Sequence, residues 1–361
     1  MARSLAPAGR RRPPSPKGRS PIPQATGLRM PAEWEPHAAT WIAWPHKESD
    51  WPGKLASIPW IYAEIVRWIA KGERCEILVR DAKQQRAAAD VLSRSDVPLK
   101  NVRFHRCPTD RVWTRDSGPI FVKRRTDLVA THWKFNAWAK YPDWKKDQRV
   151  PEFVARKLGV SRLVVEHEAR HVVLEGGSIE VNGRGTLLTT EECLLSRKQA
   201  RNPGMSRRDL EWVFATYLGA NRVIWLKRGI AGDDTHGHVD DIARFAGPRT
   251  VVAASEGNKK DANYKALAEN VRDLKRAGLN VVELPMPGPV VMEGQRLPAS
   301  YANFYIANAA VLAPVFGDPN DKLALDTLAR LFPTREIVPI YSRDFIWGLG
   351  AMHCMTQQQP R

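Results

Sequence analysis

Three short segments concentrate rare polar side chains beside glycine, which is the composition a site built on turns between strands requires. They are Trp113-Thr-Arg-Asp-Ser-Gly-Pro119, Gly232-Asp-Asp-Thr-His-Gly-His-Val-Asp-Asp241 and Trp347-Gly-Leu-Gly-Ala-Met-His-Cys-Met-Thr-Gln357. Cys354 stands seven residues from the end of the chain, where termini usually fray and a core cysteine is unusual. Gly348 and Gly350 just upstream would let the backbone turn tightly and approach a ligand, and a neighbouring imidazole would draw the thiol toward thiolate. A lone cysteine is more often a small buried hydrophobe, and Cys75, Cys107 and Cys193 have that bland setting.

In the His-Gly-His-Val-Asp-Asp stretch, residues two apart share a face of an extended chain, so His236, His238 and Asp240 would point together. Such a set serves either an acid/base histidine whose neighbouring carboxylate holds a cation, or a metal site, and spacing alone leaves both readings open. Arg115 beside Asp116 fits a structural ion pair at a Ser-Gly-Pro turn. It fits equally a carboxylate that takes the N–H groups of a planar guanidinium in a two-pronged pair, with Trp113 against the cation.

The elements that must hold these segments show in the hydrophobic pattern. From residue 58 an amphipathic helix followed by a short apolar strand recurs five times, for example SRRDLEWVFATYLGA then NRVIWL, and KALAENVRDLKRAGL then NVVELPM. The last four strands begin near residues 162, 222, 280 and 336, and the longer first interval predicts an insertion around 124–150. Further β-rich runs, Val172–Leu174, Gly185–Thr190, Thr250–Ala254 and Tyr301–Ala310, lie between turn residues. Each unit thus reads as two or three strands and one helix, within an α/β fold.

A chain of 361 residues with 43% hydrophobic content can bury a large core without a partner, although a homo-oligomer is compatible with it. Four dispersed cysteines argue against a disulfide scaffold or structural zinc and for a reducing, cytoplasmic setting. No apolar run is long enough to span a bilayer, and no signal peptide is visible. The net charge of +17 invites a nucleic-acid reading, but residues 1–29 hold seven of those charges, no acid and six prolines, leaving +10 for the rest. This composition reads as a disordered basic tail, or an over-extended gene start, ahead of a folded domain over 30–361.

Taken in order, MPAEWEPHAATWIAWPHKESDWPGKL, WTRDSGP, LEGGSIEVNGRGTLLTTEECLLSR, DDTHGHVDDIARF, PASYANFYIAN and MHCMTQQQP resemble the agmatine deiminase and bacterial-type peptidylarginine deiminase family of guanidine-modifying enzymes. The resemblance covers residues 30–361. It implies a pentein, a five-bladed α/β propeller of ββαβ-type units, with catalytic Cys354, His238, Asp116 and Asp240. It also implies Trp113, Glu175 and Asn303 lining the pocket, Asp234 beside the substrate, and no metal or cofactor. The expected reaction converts agmatine, a small guanidinium substrate, to N-carbamoylputrescine and ammonia through a covalent thiouronium on the cysteine. Two positions depart from the family pattern: Asp234, where many agmatine deiminases have Glu, and His236, where they often have Asp. The rival functions are deimination of peptidylarginine on the same site, a metal hydrolase using His236, His238 and Asp240, and a basic nucleic-acid binder.

Overall fold

A computed structural model describes residues 26–361. The described residues form five separate mixed sheets of one recurring pattern, none closed on itself, with two small hairpins beside them. In the third unit strand Glu180–Val181 pairs antiparallel with Thr186–Thr190, and helix Arg207–Leu218 then crosses over to strand Arg222–Leu226, parallel to the central strand. The fourth and fifth units repeat this with Ala243–Phe245, Thr250–Ser255 and Asn280–Pro285, and with Tyr305–Ile306, Ala310–Val315 and Glu336–Tyr341. The second unit uses Ile120–Arg124, Asp127–His132 and Ser161–Val164. In the first, the antiparallel partner of His37–Ala43 is the C-terminal strand Gln357–Pro360, so the two ends of the chain complete one sheet. Cys354, just before that strand, is thereby pinned and does not fray.

Local sequence explains where the crossovers start and stop. Ser206 and Asp209 form a capping box at the helix Arg207–Leu218, and Gly219 ends it in the left-handed region at φ 68°. Gly159 does the same, at φ 66°, for the helix Val150–Leu158. The apolar stripes of these helices pack on the sheets, and the largest core surrounds helix Ile58–Gly72, with Trp41, Trp51, Tyr62 and Phe345 fully buried.

Three expectations are corrected. The extra length of the first interval is chiefly a second crossover, helix Ala82–Arg94 and strand Val102–Arg106, which widens the first sheet. Of the span 124–150, the first part is a hairpin of the second sheet, while 133–149 is a connection that walls the pocket. Val172–Leu174 is not a strand, contributing one isolated bridge between Val173 and Lys134. The boundary at residue 29 falls too late, because Leu28–Arg29 pairs with Lys123–Arg124 and the Leu28 side chain is buried. The tail reading for residues 1–25 lies outside the described residues. Among the described residues, no helix is long and apolar enough to cross a membrane.

Candidate active site

Cys354, Asp116, Trp113 and Asp234 line one cavity of about 310 Å³, together with Asp50, Arg111, Trp138, Tyr141 and Gly350. At its floor the side chains of Glu175, His238 and Asp240 meet Asp116 and the thiol, although they come from four different connections between strands. His238 Nδ1 lies 3.9 Å from Asp116 Oδ2 and 3.9 Å from Asp240 Oδ1, and its Nε2 lies 3.8 Å from Glu175 Oε2. Cys354 Sγ is 3.7 Å from Asp240 Oδ2 and receives the Asn303 amide N–H at 3.1 Å. Both ring nitrogens of His238, Glu175 Oε2 and Asp240 Oδ1 are buried without a hydrogen-bond partner among the described residues. Buried polar groups are rarely left so, and together these atoms offer acceptors to a planar cation and a proton carrier beside it.

Gly177 makes this convergence fit. A Cβ there would stand 2.6 Å from His238 Nδ1, 2.9 Å from Asp240 Oδ2 and 3.0 Å from Asp116 Oδ1, so no other residue is tolerated without displacing all three. Its N–H donates to Asp116 Oδ1 at 3.0 Å, while the Trp138 indole N–H donates to Oδ2 at 2.8 Å. Trp138 reaches that oxygen from three consecutive residues, Ala137 to Ala139, held at φ between 49° and 58°. This is strain for side chains with a Cβ, stored at the site. Gly348 and Gly350 are needed for close approach rather than for turning: an added Cβ would meet Trp51 at 2.6 Å and Trp113 at 2.8 Å. The residue in left-handed conformation there is Leu349.

The charges sort by environment. Burial works against ionisation of Glu175, but Arg201, donating to Oε1 at 3.0 Å, and His238 outweigh it and hold that carboxyl at about 2. Burial likewise disfavours the His238 cation, yet Asp116 and the contacts with Cys193 and Glu175 raise it well above its ordinary value. Asp116 is pushed up by burial, with Asp240 and Glu175 adding to the shift against the pull of His238. Asp240 stays low because His353 offsets its burial. The Cys354 thiol is pushed well up by burial and by Asp240, Asp241 and Asp116. The floor is therefore an imidazolium among carboxylates with a protonated thiol beside them.

Of the expected site residues, Cys354, His238, Asp116, Asp240, Glu175, Asn303 and Trp113 come together, and Asp234 sits higher in the same cavity. His236 does not join them. Its backbone is left-handed at φ 65°, its Nε2 contacts Ser196 Oγ at 3.2 Å, and it faces a different cleft, so the set His236, His238 and Asp240 is not a metal site. Asp233 and Asp241, in the same polar segment, hold backbone and side-chain donors rather than the cavity. Asp233 takes the backbone N–H groups of Thr235, Gly237 and His238, and Asp241 receives Asn303.

A family described as Porphyromonas-type peptidyl-arginine deiminase matches residues 29–360. The chain belongs to this family. Among similar proteins of it are the agmatine deiminase of Stutzerimonas stutzeri (strain A1501), 37% identical over 94% of this chain and 97% of its own length, and that of Pseudomonas aeruginosa (strain LESB58), 36% identical with the same coverage. Among solved structures, a variant of C. jejuni agmatine deiminase with substrate bound has TM-score 0.84 and 28% identity, covering 92% of this chain and 96% of its own. The Enterococcus faecalis agmatine deiminase has TM-score 0.84 and 30% identity, with 93% and 96% covered.

Around this deiminase floor stand residues that sequence reasoning passed over. His353 bridges Asp240 Oδ2 at 2.7 Å and Glu33 Oε2 at 2.9 Å, and Glu33 is held in turn by Arg115 at 3.0 Å and Arg244 at 2.7 Å. Arg115 is thus a structural ion pair, and Asp116 alone of that dipeptide reaches the cavity. Cys193, read as a core thiol, brings its sulfur within 4.8 Å of ligand atoms of His238 and Glu175. Only the glycine doublet after Glu175 and the adjacency of His353 to Cys354 signalled these roles. Arg201 and Trp138 carried no local signal.

Proposed function

We propose that the protein is a hydrolase of C–N bonds that deiminates agmatine, with water, to N-carbamoylputrescine and ammonia, using Cys354 as nucleophile. What supports this reading best is the floor itself: unpaired oxygens of Glu175 and Asp240 around an imidazolium, with the Cys354 thiol 3.7 Å from Asp240, in a chain of this family. A guanidinium spreads its charge over three nitrogens and resists water at neutral pH, and covalent catalysis divides that barrier. Asp116 and Asp240 accept N–H groups and fix the central carbon beside Sγ. The bound cation then offsets the three carboxylates that otherwise keep the thiol protonated. The thiol loses its proton to solvent, the resulting thiolate attacks the carbon, His238 gives its proton to the departing ammonia, and the S-alkylthiouronium remains. Neutral His238 next takes a proton from water, whose oxygen displaces sulfur, releasing the ureido product and the free thiol. Neither half needs a metal or redox partner.

The five units of like connectivity are read as blades of a propeller with the cavity at their centre, and residues 30–361, extended by the paired Leu28–Arg29, as one catalytic domain. Four buried free cysteines fit a reducing, cytoplasmic setting. The test is ammonia release from agmatine, arginine and an arginine-containing peptide. Turnover of agmatine is expected; turnover of the peptide without agmatine overturns the substrate and favours peptidylarginine deimination.

A further inference from the structure

Agmatine carries a second cation, the ammonium at its far end, and the cavity mouth must accommodate it. The charged groups around that mouth neutralise one another. Arg111 is paired with Asp50 at 2.7 Å and Asp143 at 3.3 Å, Lys47 with Asp143, and Lys140 with Asp234. Arg111 is fixed, its guanidinium stacked 4.1 Å from the Tyr141 ring centre and its side chain mostly buried. Asp234 is different. One of its oxygens is taken by the Tyr141 hydroxyl at 2.6 Å, and the other, among the described residues, only by Lys140. The Lys140 side chain is 42% exposed against 13% for Asp234, so the lysine can swing into water while the carboxylate stays on the wall. A lysine arm ends in the same group as agmatine, a primary ammonium on a four-carbon stem.

We propose that Lys140 is a specificity-determining residue: it holds, on Asp234, the place of the substrate's distal ammonium, and a cationic tail must displace it to bind. This rests on the agmatine reading and extends it to the tail. Exchange of one ammonium for another on the same carboxylate costs little net charge, so a substrate with a cationic tail recovers the ion pair that it breaks. A neutral tail leaves Lys140 in place and draws nothing from Asp234. The neutral mouth thus selects for a terminal cation while holding its affinity down.

Steady-state kinetics of Lys140→Met with agmatine and with butylguanidine, the same guanidinium without the amine, test the inference. The KM for agmatine is expected to fall about fivefold, the size of one exposed ion pair, with the change in KM rather than kcat, and that for butylguanidine to move less than about twofold. An agmatine KM that is unchanged or higher, or a like shift for both substrates, overturns it. Asp234→Asn gives a second route: the agmatine KM should rise, and adding Lys140→Met to it should change nothing further. A further fall in that background also overturns the proposal. Wild type that hydrolyses butylguanidine but not agmatine removes the substrate reading and this inference together, whereas normal agmatine turnover with no Lys140 effect removes only the inference.

Discussion

At the floor of the cavity, Asp116, Glu175, Asp240 and His238 crowd together with four of their polar atoms unpaired. At the mouth, Asp50, Asp143 and Asp234 each sit against Arg111, Lys47 or Lys140. Both regions mix acids with cations, but the floor leaves carboxylate oxygens facing the His238 ring beside the thiol, whereas each acid of the mouth is matched to a long cation. The difference follows from the backing. The floor's anions are buried and held from behind by Arg201, Gly177 N–H, Trp138 N–H and His353, so their front atoms need no partner from the protein. At the mouth Asp143, Lys47 and Lys140 have water within reach, and the acids, buried Asp50 among them, are matched by long cations instead. Chemistry belongs to the region whose balance is left open, and selection to the one whose balance can be exchanged.

Cys354→Ala breaks the floor at its nucleophile, and ammonia release should drop by at least about 10⁴-fold with the fold intact by circular dichroism. A variant that still releases ammonia at the normal rate ends the covalent mechanism. Gly177→Ala tests whether the open balance depends on geometry alone. The new methyl must push apart His238, Asp240 and Asp116, so kcat should fall by roughly 10²-fold or more although no charge changes. Activity within about twofold of wild type would mean that the floor is looser than its contacts imply.

The pH dependence sharpens the same contrast. Burial and the carboxylates raise the Cys354 thiol above its ordinary value near 9, so in the free enzyme the thiol is protonated at neutral pH. kcat/KM, which reports the free enzyme, should therefore climb about tenfold per pH unit through neutrality. kcat should rise less steeply, because the bound guanidinium offsets those carboxylates and brings the thiol down. The two profiles are obtained from one set of initial rates across pH. Parallel slopes would show that substrate does not help to ionise the thiol.

How far the sequence disclosed this site depended on where each contact came from. The helix-to-strand rhythm placed strands starting at 222, 280 and 336 because each helix and its following strand are local, with periods visible over fifteen residues. It missed the second crossover of the first unit, since Ala82–Arg94 is rich in Ala and polar residues and its apolar stripe is thin. Cys354, His238 and Asp116 were legible because they lie in glycine-bracketed polar clusters. Arg201 and Trp138 were not: one sits in an unremarkable basic stretch, the other in a left-handed run that no residue in it announces. His236 looked like a partner of His238 from alternation alone. The loop is not extended there, because Asp233 gathers its backbone N–H groups and turns His236 outward.

The smallest expected effect tests the mouth. Asp50 is buried, which raises its carboxyl from 3.8 to about 6 even though Arg111 and Lys47 pull it down. Between those two values the folded protein binds a proton that the unfolded chain has released, so ionising Asp50 costs stability as pH rises through this window. Asp50→Asn removes the titration. Relative to wild type, the variant should gain stability from pH 4 to pH 7 by on the order of 1–2 kcal/mol, while at either pH it forfeits the same contact with Arg111. Its kcat/KM should stay within roughly fivefold, because Asp143 still holds Arg111 and the floor is untouched. Urea midpoints at the two pH values, with agmatine kinetics alongside, decide the matter. A variant that loses stability relative to wild type as pH rises would mean that the Asp50 charge, fully paired, stabilises the mouth, and that its balance is set by strong pairing rather than by weak, exchangeable contacts.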